Sequence, residues 1–363
     1  MRILHLVNHC RLGHGNVHAA VDLACVQSAR GDTVYYGSEG GELHNLLIQE
    51  KVRRVNLRQR SRNPLILLRS LVHLVQIVRR DRIEVVHAHM MSGAVLGYLA
   101  TRVTRARLVT TVHNSFDRHS MIMRLGDRIV TVSTAERQNM IKRGFSAARL
   151  TSIVNGPLGG ARERFFQKQD SLDLPHPNVT TVCGLHARKG VDYLIEAFKL
   201  VQKETPCFLN IVGDGPDRKR LEAVAVATGF ADRIRFHGSQ SDPRQILRAS
   251  DIFVLASLAE PFGLVNIEAR SVGCAVIATA VGGVAEALDG GLAGTLVPPG
   301  DAPAIARAIF DLLSDADKLR QGQTSALRNL ERFGVERLYE EYRDVYETLT
   351  GPPRSAVVAD PSA

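Results

Sequence analysis

Residues 251–290 read DIFVLASLAEPFGLVNIEARSVGCAVIATAVGGVAEALDG, and the fold is read outward from them. Asp251–Leu255 is a short apolar run of strand length, rich in β formers. Glu260-Pro261 interrupts regular structure, because a residue before proline is held extended. Gly263 opens a segment whose apolar positions, Leu264, Val265, Ile267, Ala269 and Val272, suit a helix. Cys274–Ala280 is a second strand, closed by Gly282-Gly283. Strand, loop, helix, strand is one βαβ unit with a tight loop feeding a helix N-terminus.

That geometry suits an anion. The first turn of a helix has N–H groups without intrahelical partners, here around Phe262, Gly263 and Leu264. The macrodipole adds roughly 0.3–1 kcal/mol for an exposed anion, up to about 2 when partly buried. Gly263 lets a ligand come close to the backbone. Glu260 in the loop and Glu268 along the helix flank the mouth. Carboxylates accept hydrogen bonds and cannot donate them, so the pair suits hydroxyls on both sides of a phosphate group. A nucleotide sugar has that form. Two glutamates at this spacing are common by chance; the longer string is not.

EPFGLVNIEA, followed by GCAVIATAVGGVAE, resembles the donor-site motif of retaining glycosyltransferases of family 4, the glycosyl transferases group 1. The resemblance implies the GT-B fold: α/β, two Rossmann-like doubly wound domains facing across a cleft. It implies that Glu260 contacts the donor sugar, that Glu268 holds the ribose, and that the backbone at Phe262, Gly263 and Leu264 binds the diphosphate. It also implies transfer without an obligatory metal or other cofactor.

Composition is compatible with this. The chain has 363 residues, enough for two full cores, and its hydrophobic fraction of 45% is that of ordinary globular proteins. It enters a strand at once (Arg2–Val7), with no leader pattern and no apolar stretch of spanning length. Cys10, Cys25, Cys183, Cys207 and Cys274 are scattered without metal spacing and read as reduced thiols of a cytoplasmic protein. Residues 51–82 hold ten Lys or Arg and one acid, equal to the whole net charge of +9. Leu65, Leu68, Leu71, Val72, Val75 and Val78 interleave there at helical spacing. The segment reads either as a solvated basic face or as a peripheral docking surface for the anionic inner face of a membrane. With no Trp and 5% aromatics, nucleic acid is not an expected partner.

Residues 1–165 alternate strands and helices, as in a doubly wound sheet, and the resemblance implies that this domain binds the acceptor. Gly13-His14-Gly15 after the first strand tempts a dinucleotide reading, but His18 stands where a third glycine belongs. The resemblance aligns Gly15 with a loop between donor diphosphate and acceptor. His113 ends a strand in Thr-Val-His-Asn, and the family's corresponding histidine lies beside the transferred sugar. His87 and His89 end another strand and are candidates for the acceptor side. Ser133-x-x-Glu136 is a capping box. Residues 160–178 read as a polar linker.

Residues 178–334 restart the pattern as the nucleotide-sugar domain. Lys189-Gly190 resembles the family's Lys-Gly, whose lysine neutralises the diphosphate. The family's second cation is missing at Leu185; either Arg188 takes its place or the site has one cation. Gly213 and Gly238 match turns near the base. Asp315-Ala316-Asp317 reads as solvated surface. A last helix, about 335–350, returns to the first domain in the family, and 351–363 reads as a disordered tail.

The expected activity is retaining transfer from a nucleoside-diphosphate sugar to a hydroxyl of a glycan or lipid-linked acceptor. A nucleotide-sugar epimerase or phosphorylase, or a non-catalytic nucleotide-sugar-binding protein, are the alternatives.

Overall fold

A computed structural model describes residues 1–166 and 172–351. The tail expected at 351–363 lies outside them from residue 352 onward. Seven parallel strands form one sheet: β1 (Arg2–Leu6), β2 (Thr33–Ser38), β3 (Arg53–Asn56), β4 (Val85–Ala88), β5 (Arg107–Val112), β6 (Arg128–Thr131) and β7 (Leu150–Ser152). Their spatial order is β3-β2-β1-β4-β5-β6-β7. Six parallel strands form the other: β8 (Asn178–Val182), β9 (Phe208–Val212), β10 (Ile234–Gly238), β11 (Ile252–Leu255), β12 (Ala275–Thr279) and β13 (Thr295–Val297), ordered β10-β9-β8-β11-β12-β13. In both lobes the order reverses beside the first strand, so each has a switch point at its carboxyl edge.

The central strands are buried on both faces because helices cover both, whereas edge strand β3 (Arg-Arg-Val-Asn) is largely exposed. In β11 every residue is buried, as parallel sheets require. The 251–290 unit forms as its sequence predicts. β11 leads through Glu260-Pro261 to the Leu264–Ser271 helix, and β12 lies parallel beside β11.

The Val335–Thr350 helix crosses back onto the first lobe. Val335, Leu338, Tyr339, Tyr342, Val345 and Tyr346 pack against Ile3, Leu23, Val85 and Val109. Its apolar side is a single stripe at helical spacing. A smaller apolar cluster of Val132, Ile267, Phe262, Ala287 and Phe333 joins the lobes.

The basic segment carries its helix where the apolar spacing puts it, at Pro64–Arg80, preceded by edge strand β3. One sequence reading is corrected: the 160–178 stretch, described up to Phe166 and again from Leu172, is not a plain polar linker. Ala161–Phe166 is a helical turn, and Arg162 within it is buried between the lobes. Its polar look is that of a buried ion cluster, which composition does not distinguish from solvated surface.

Candidate functional site

The segments that carry Gly15, His113, Lys189 and Glu260 follow the carboxyl ends of β1, β5, β8 and β11. In the second lobe, β8 runs into the Ala187–Lys189 turn, closed by Gly190 in the left-handed region at φ 62°. A Cβ there would lie 2.1 Å from the Ala256 carbonyl oxygen. Glycine therefore lets this turn lie flat against the chain leaving β11, where Leu258 N–H donates to the Arg188 carbonyl at 2.8 Å. The result is an ion pair, the Lys189 ammonium donating to Glu260. Ser257 Oγ donates to the same carboxylate oxygen at 3.4 Å.

The Glu260 loop is held from two further sides. Gly283 N–H donates to the Pro261 carbonyl at 3.1 Å. Ser133 of the first lobe donates to that same oxygen at 2.8 Å. Ser133 also accepts from Glu136 N–H at 3.1 Å, so half of the expected capping box forms and the same hydroxyl ties the lobes together. Ala135 N–H reaches Glu286 across the same seam at 3.1 Å.

The Leu264–Ser271 helix starts at Gly263, φ 83°, with no side chain capping it. Its first-turn N–H groups are oriented for an anion. Gly15 of the first lobe faces this mouth: a Cβ on it would stand 3.4 Å from Leu264 Cδ1. Asn266 lies beneath the mouth, fully buried, and neither of its amide atoms has a partner among the described residues. Nothing in the spacing of the motif marks it.

Glu268 does not stand open. Arg162 forms a two-pronged pair with Asp22, Nε to Oδ1 at 2.9 Å and Nη2 to Oδ2 at 2.8 Å. The same guanidinium lies 3.6 Å from Glu268 Oε1. Burial pushes the Glu268 carboxyl above its ordinary range, while Arg162 and then Arg244 pull it back. Burial also opposes the charge on Arg162, but Asp22 and Glu268 outweigh it and the guanidinium stays protonated. Sequence reasoning missed Arg162 and Asp22, because a buried arginine has no local signature.

Arg188 turns to the first lobe, its guanidinium carbon 5.0 Å from the centre of the exposed Phe116 ring. Leu185, where the second cation was sought, is fully buried. Gly213 and Gly238 meet through a bond from Gly213 N–H to the Gly238 carbonyl at 2.8 Å. A Cβ on Gly213 would meet the Cys183 carbonyl oxygen at 1.9 Å, at the end of the strand that leads to the Lys189 turn, and one on Gly238 would stand 3.4 Å from an Arg218 guanidinium nitrogen.

His113 extends from β5 with its Nε2 at 3.0 Å from His89 Nδ1. Burial pushes its pKa down to about 4, so the ring is neutral near pH 7. His87 and His89 do not line the acceptor side as expected: they are 0% and 4% exposed and bonded inward. Asp315 is a helix cap, accepting from Asp317 and Lys318 N–H groups, as a surface reading requires. A cavity of about 710 Å³ behind the second sheet, near Leu296 and Lys318, includes none of the site residues.

Lys189, Glu260, the Gly263 mouth, Glu268 and Gly15 thus converge between the lobes. The arrangement offers one cation and a helix N-terminus to a phosphate, with carboxylates on either side for hydroxyls.

Comparison with known proteins agrees with this geometry. Residues 163–329 match the family model described as "Glycosyl transferases group 1", and 17–156 match "Glycosyltransferase Family 4". N-acetyl-alpha-D-glucosaminyl L-malate synthase of Bacillus anthracis is 26% identical over 292 residues, 75% of this chain and 77% of that protein. D-inositol 3-phosphate glycosyltransferase of Salinispora tropica is 28% identical over 305 residues, 72% of this chain and 63% of that one. Among solved structures, Anabaena HepE in complex with UDP and glucose superposes with a TM-score of 0.80 at 22% identity, over 96% of this chain and 100% of that one.

Proposed function

We propose, on the premise that this chain belongs to the group 1 glycosyltransferases of family 4 with the GT-B fold, that it moves a sugar from a nucleoside-diphosphate sugar to an acceptor hydroxyl with retention of configuration. The observation that carries the reading is the Lys189–Glu260 pair beside the uncapped mouth of the Leu264–Ser271 helix. An ammonium has three N–H donors, so Lys189 can keep Glu260 and still reach a phosphate oxygen. Glu260 then orients the sugar. Glu268, steadied by Arg162, takes the ribose hydroxyls. Gly213 and Gly238 leave room for the base, and His113 lines the reacting side of the sugar.

Transfer is front-face. The bond from the anomeric carbon to the diphosphate oxygen breaks. The acceptor oxygen bonds that carbon on the same face, and its proton passes to the departing phosphate. Lys189 and the helix N–H groups stabilise the charge that develops there. The scheme needs no metal. Glu260 and Glu268 are each tied to a cation, which supports orienting roles over a nucleophile–acid pair.

The acceptor is a glycan or a lipid-linked hydroxyl met at the inner membrane face. The Pro64–Arg80 helix supports this, exposing Leu65, Leu68 and Val72 beside Arg69, with Arg58, Arg60 and Arg62 just before it. Among the described residues no helix is long and apolar enough to cross a membrane, so the contact would be peripheral. Two relatives are named for L-malate and D-inositol 3-phosphate, so small hydroxylated acceptors belong in the assay.

The test is thermal shift against UDP, GDP, ADP and their sugars in EDTA, followed by transfer with the product anomer read by NMR. The expected result is stabilisation by one nucleotide and a product with the donor's configuration. Absence of any nucleotide effect overturns the donor reading, and an inverted product overturns the mechanism. Binding without transfer to any acceptor leaves a nucleotide-sugar-binding protein.

A further inference from the structure

Behind His113 runs an unbroken line of buried polar side chains that ends on the Val335–Thr350 helix. His113 Nε2 lies 3.0 Å from His89 Nδ1, and His89 Nε2 lies 2.9 Å from His5 Nδ1. His5 Nε2 lies 2.7 Å from Gln27 Oε1. The Gln27 amide donates to Tyr346 OH at 3.3 Å, and Tyr346 OH lies 2.7 Å from His87 Nδ1. His87 Nε2 then meets Thr111 Oγ1 at 2.7 Å, and Thr111 meets Tyr342 OH at 3.0 Å. The members come from β1, β4, β5, the first helix (Gly15–Ala29) and the terminal helix.

With the Gln27 oxygen on His5, the bonds from Gln27 to His113 can have only one sense. A carbonyl oxygen only accepts, so His5 Nε2 must carry the hydrogen. A neutral imidazole has one N–H, so His5 Nδ1 accepts, and His89 must donate to it from Nε2. By the same step His89 Nδ1 accepts from His113 Nε2. His113 Nδ1 is left bare, and no described residue bonds to it. On the far side the Gln27 amide donates to Tyr346, whose own hydrogen is free to go to His87 Nδ1. Burial lowers the pKa of His5 and His113 to about 4 and drives His87 and His89 down as well, so no ring needs a second proton near neutral pH.

One ring nitrogen from each of His5, His87 and His89 also lies within 4.8 Å of the other two, near enough for one cation. All six nitrogens are already engaged in the line above, in a pattern whose donors and acceptors match throughout. A metal would have to break it.

We propose that this line fixes His113 as the tautomer with hydrogen on Nε2, so that its Nδ1 meets the bound sugar as a hydrogen-bond acceptor, with Gln27 and Tyr346 as the positioning residues that set the sense. The inference rests on the reading of His113 as the residue beside the transferred sugar. It requires a donor sugar that turns a free hydroxyl, a hydrogen-bond donor, toward His113. It also gives the terminal helix a part in the site that it does not touch. Tyr346 accepts from the Gln27 amide nitrogen and so supports the orientation in which the Gln27 oxygen faces His5.

The test is side-chain ¹⁵N NMR of histidine-labelled full-length protein without substrate, His113 being assigned by its loss in His113→Asn. Wild type is expected to show an unprotonated Nδ1 and a protonated Nε2 on His113. Gln27→Met, close in size, should give a mixture of tautomers and lower kcat about tenfold with the donor KM within about twofold, as for loss of a group that orients a functional histidine. Tyr346→Phe should move the same signals in the same direction, and it carries the test if Gln27→Met does not fold. A wild-type His113 protonated on Nδ1, tautomers unchanged in both variants, or stoichiometric zinc in the purified protein would overturn the proposal. Undiminished transfer by His113→Ala would instead remove His113 from the sugar, an outcome the substrate-free spectra do not depend on.

Discussion

At the scale of single residues the site is built from pairs that each have a second duty. Lys189 holds Glu260 and has N–H donors to spare; Ser133 caps a helix and fastens the Glu260 loop across the cleft. Glu260→Ala should lower transfer at least about 100-fold with an unchanged circular dichroism spectrum, because an orienting carboxylate and the fixed position of Lys189 are lost together. Near-normal turnover would remove it from the site. Arg162→Met should destabilise the protein by about 3–5 kcal/mol in urea titration, since Asp22 and Glu268 lose their nearest counterion and keep only the more distant Arg244. Adding Asp22→Asn should recover part of the loss; a strictly additive double variant would show that the pair is not coupled.

At the scale of elements, the helix mouth and the histidine line make separate demands. Gly263→Ala places a Cβ 2.6 Å from Asn266 Nδ2 on a left-handed backbone. The backbone strain alone is about 1–2 kcal/mol, and binding of the nucleoside diphosphate measured by calorimetry should weaken, because the mouth must shift. Unchanged affinity would place the phosphate elsewhere. The histidines make the first lobe acid-sensitive. His5 and His113 titrate near 4 when folded and near 6.5 when unfolded. Between those values the unfolded chain binds more protons, so stability falls as pH drops from about 6.5 toward 4, and His87 and His89, also driven well down by burial, add to the fall. Thermal melts across that range check the sign. A flat profile would mean that the cluster already carries charge in the folded state.

At the scale of the whole molecule, the two lobes are tied on one flank by Ser133, Glu286 and the Phe262–Phe333 cluster, and the terminal helix of the second half completes the core of the first. The outer face of the first lobe carries exposed Leu65, Leu68 and Val72 among arginines. Arg69→Glu with Arg58→Glu and Arg60→Glu should abolish co-sedimentation with anionic vesicles while leaving transfer to a soluble acceptor within about twofold. Wild-type binding should weaken as salt shortens the Debye length to about 3 Å near 1 M. Vesicle binding that ignores both charge reversal and salt would leave only an apolar contact.

What the chain determined by itself was the local grammar. The βαβ unit at 251–290 was legible because strand, breaker and helix signals each act within a few residues. So were the positions of His113 and Lys189 at strand ends, since the carboxyl edge of a parallel sheet follows from the alternation of elements. The family resemblance then assigned chemistry to those positions. What only the tertiary structure decided were the contacts between segments far apart in sequence. Arg162 looked like linker and is the counterion of Asp22 and Glu268. His87 and His89 looked like cleft residues and are buried; His89 is the first link from His113 toward Tyr346, 233 positions further along, and His87 continues the line from that tyrosine. The physical reason is range: backbone preferences are set by neighbours in the chain, whereas a charge or an imidazole takes its protonation and its partner from whatever the packed core brings within about 3 Å.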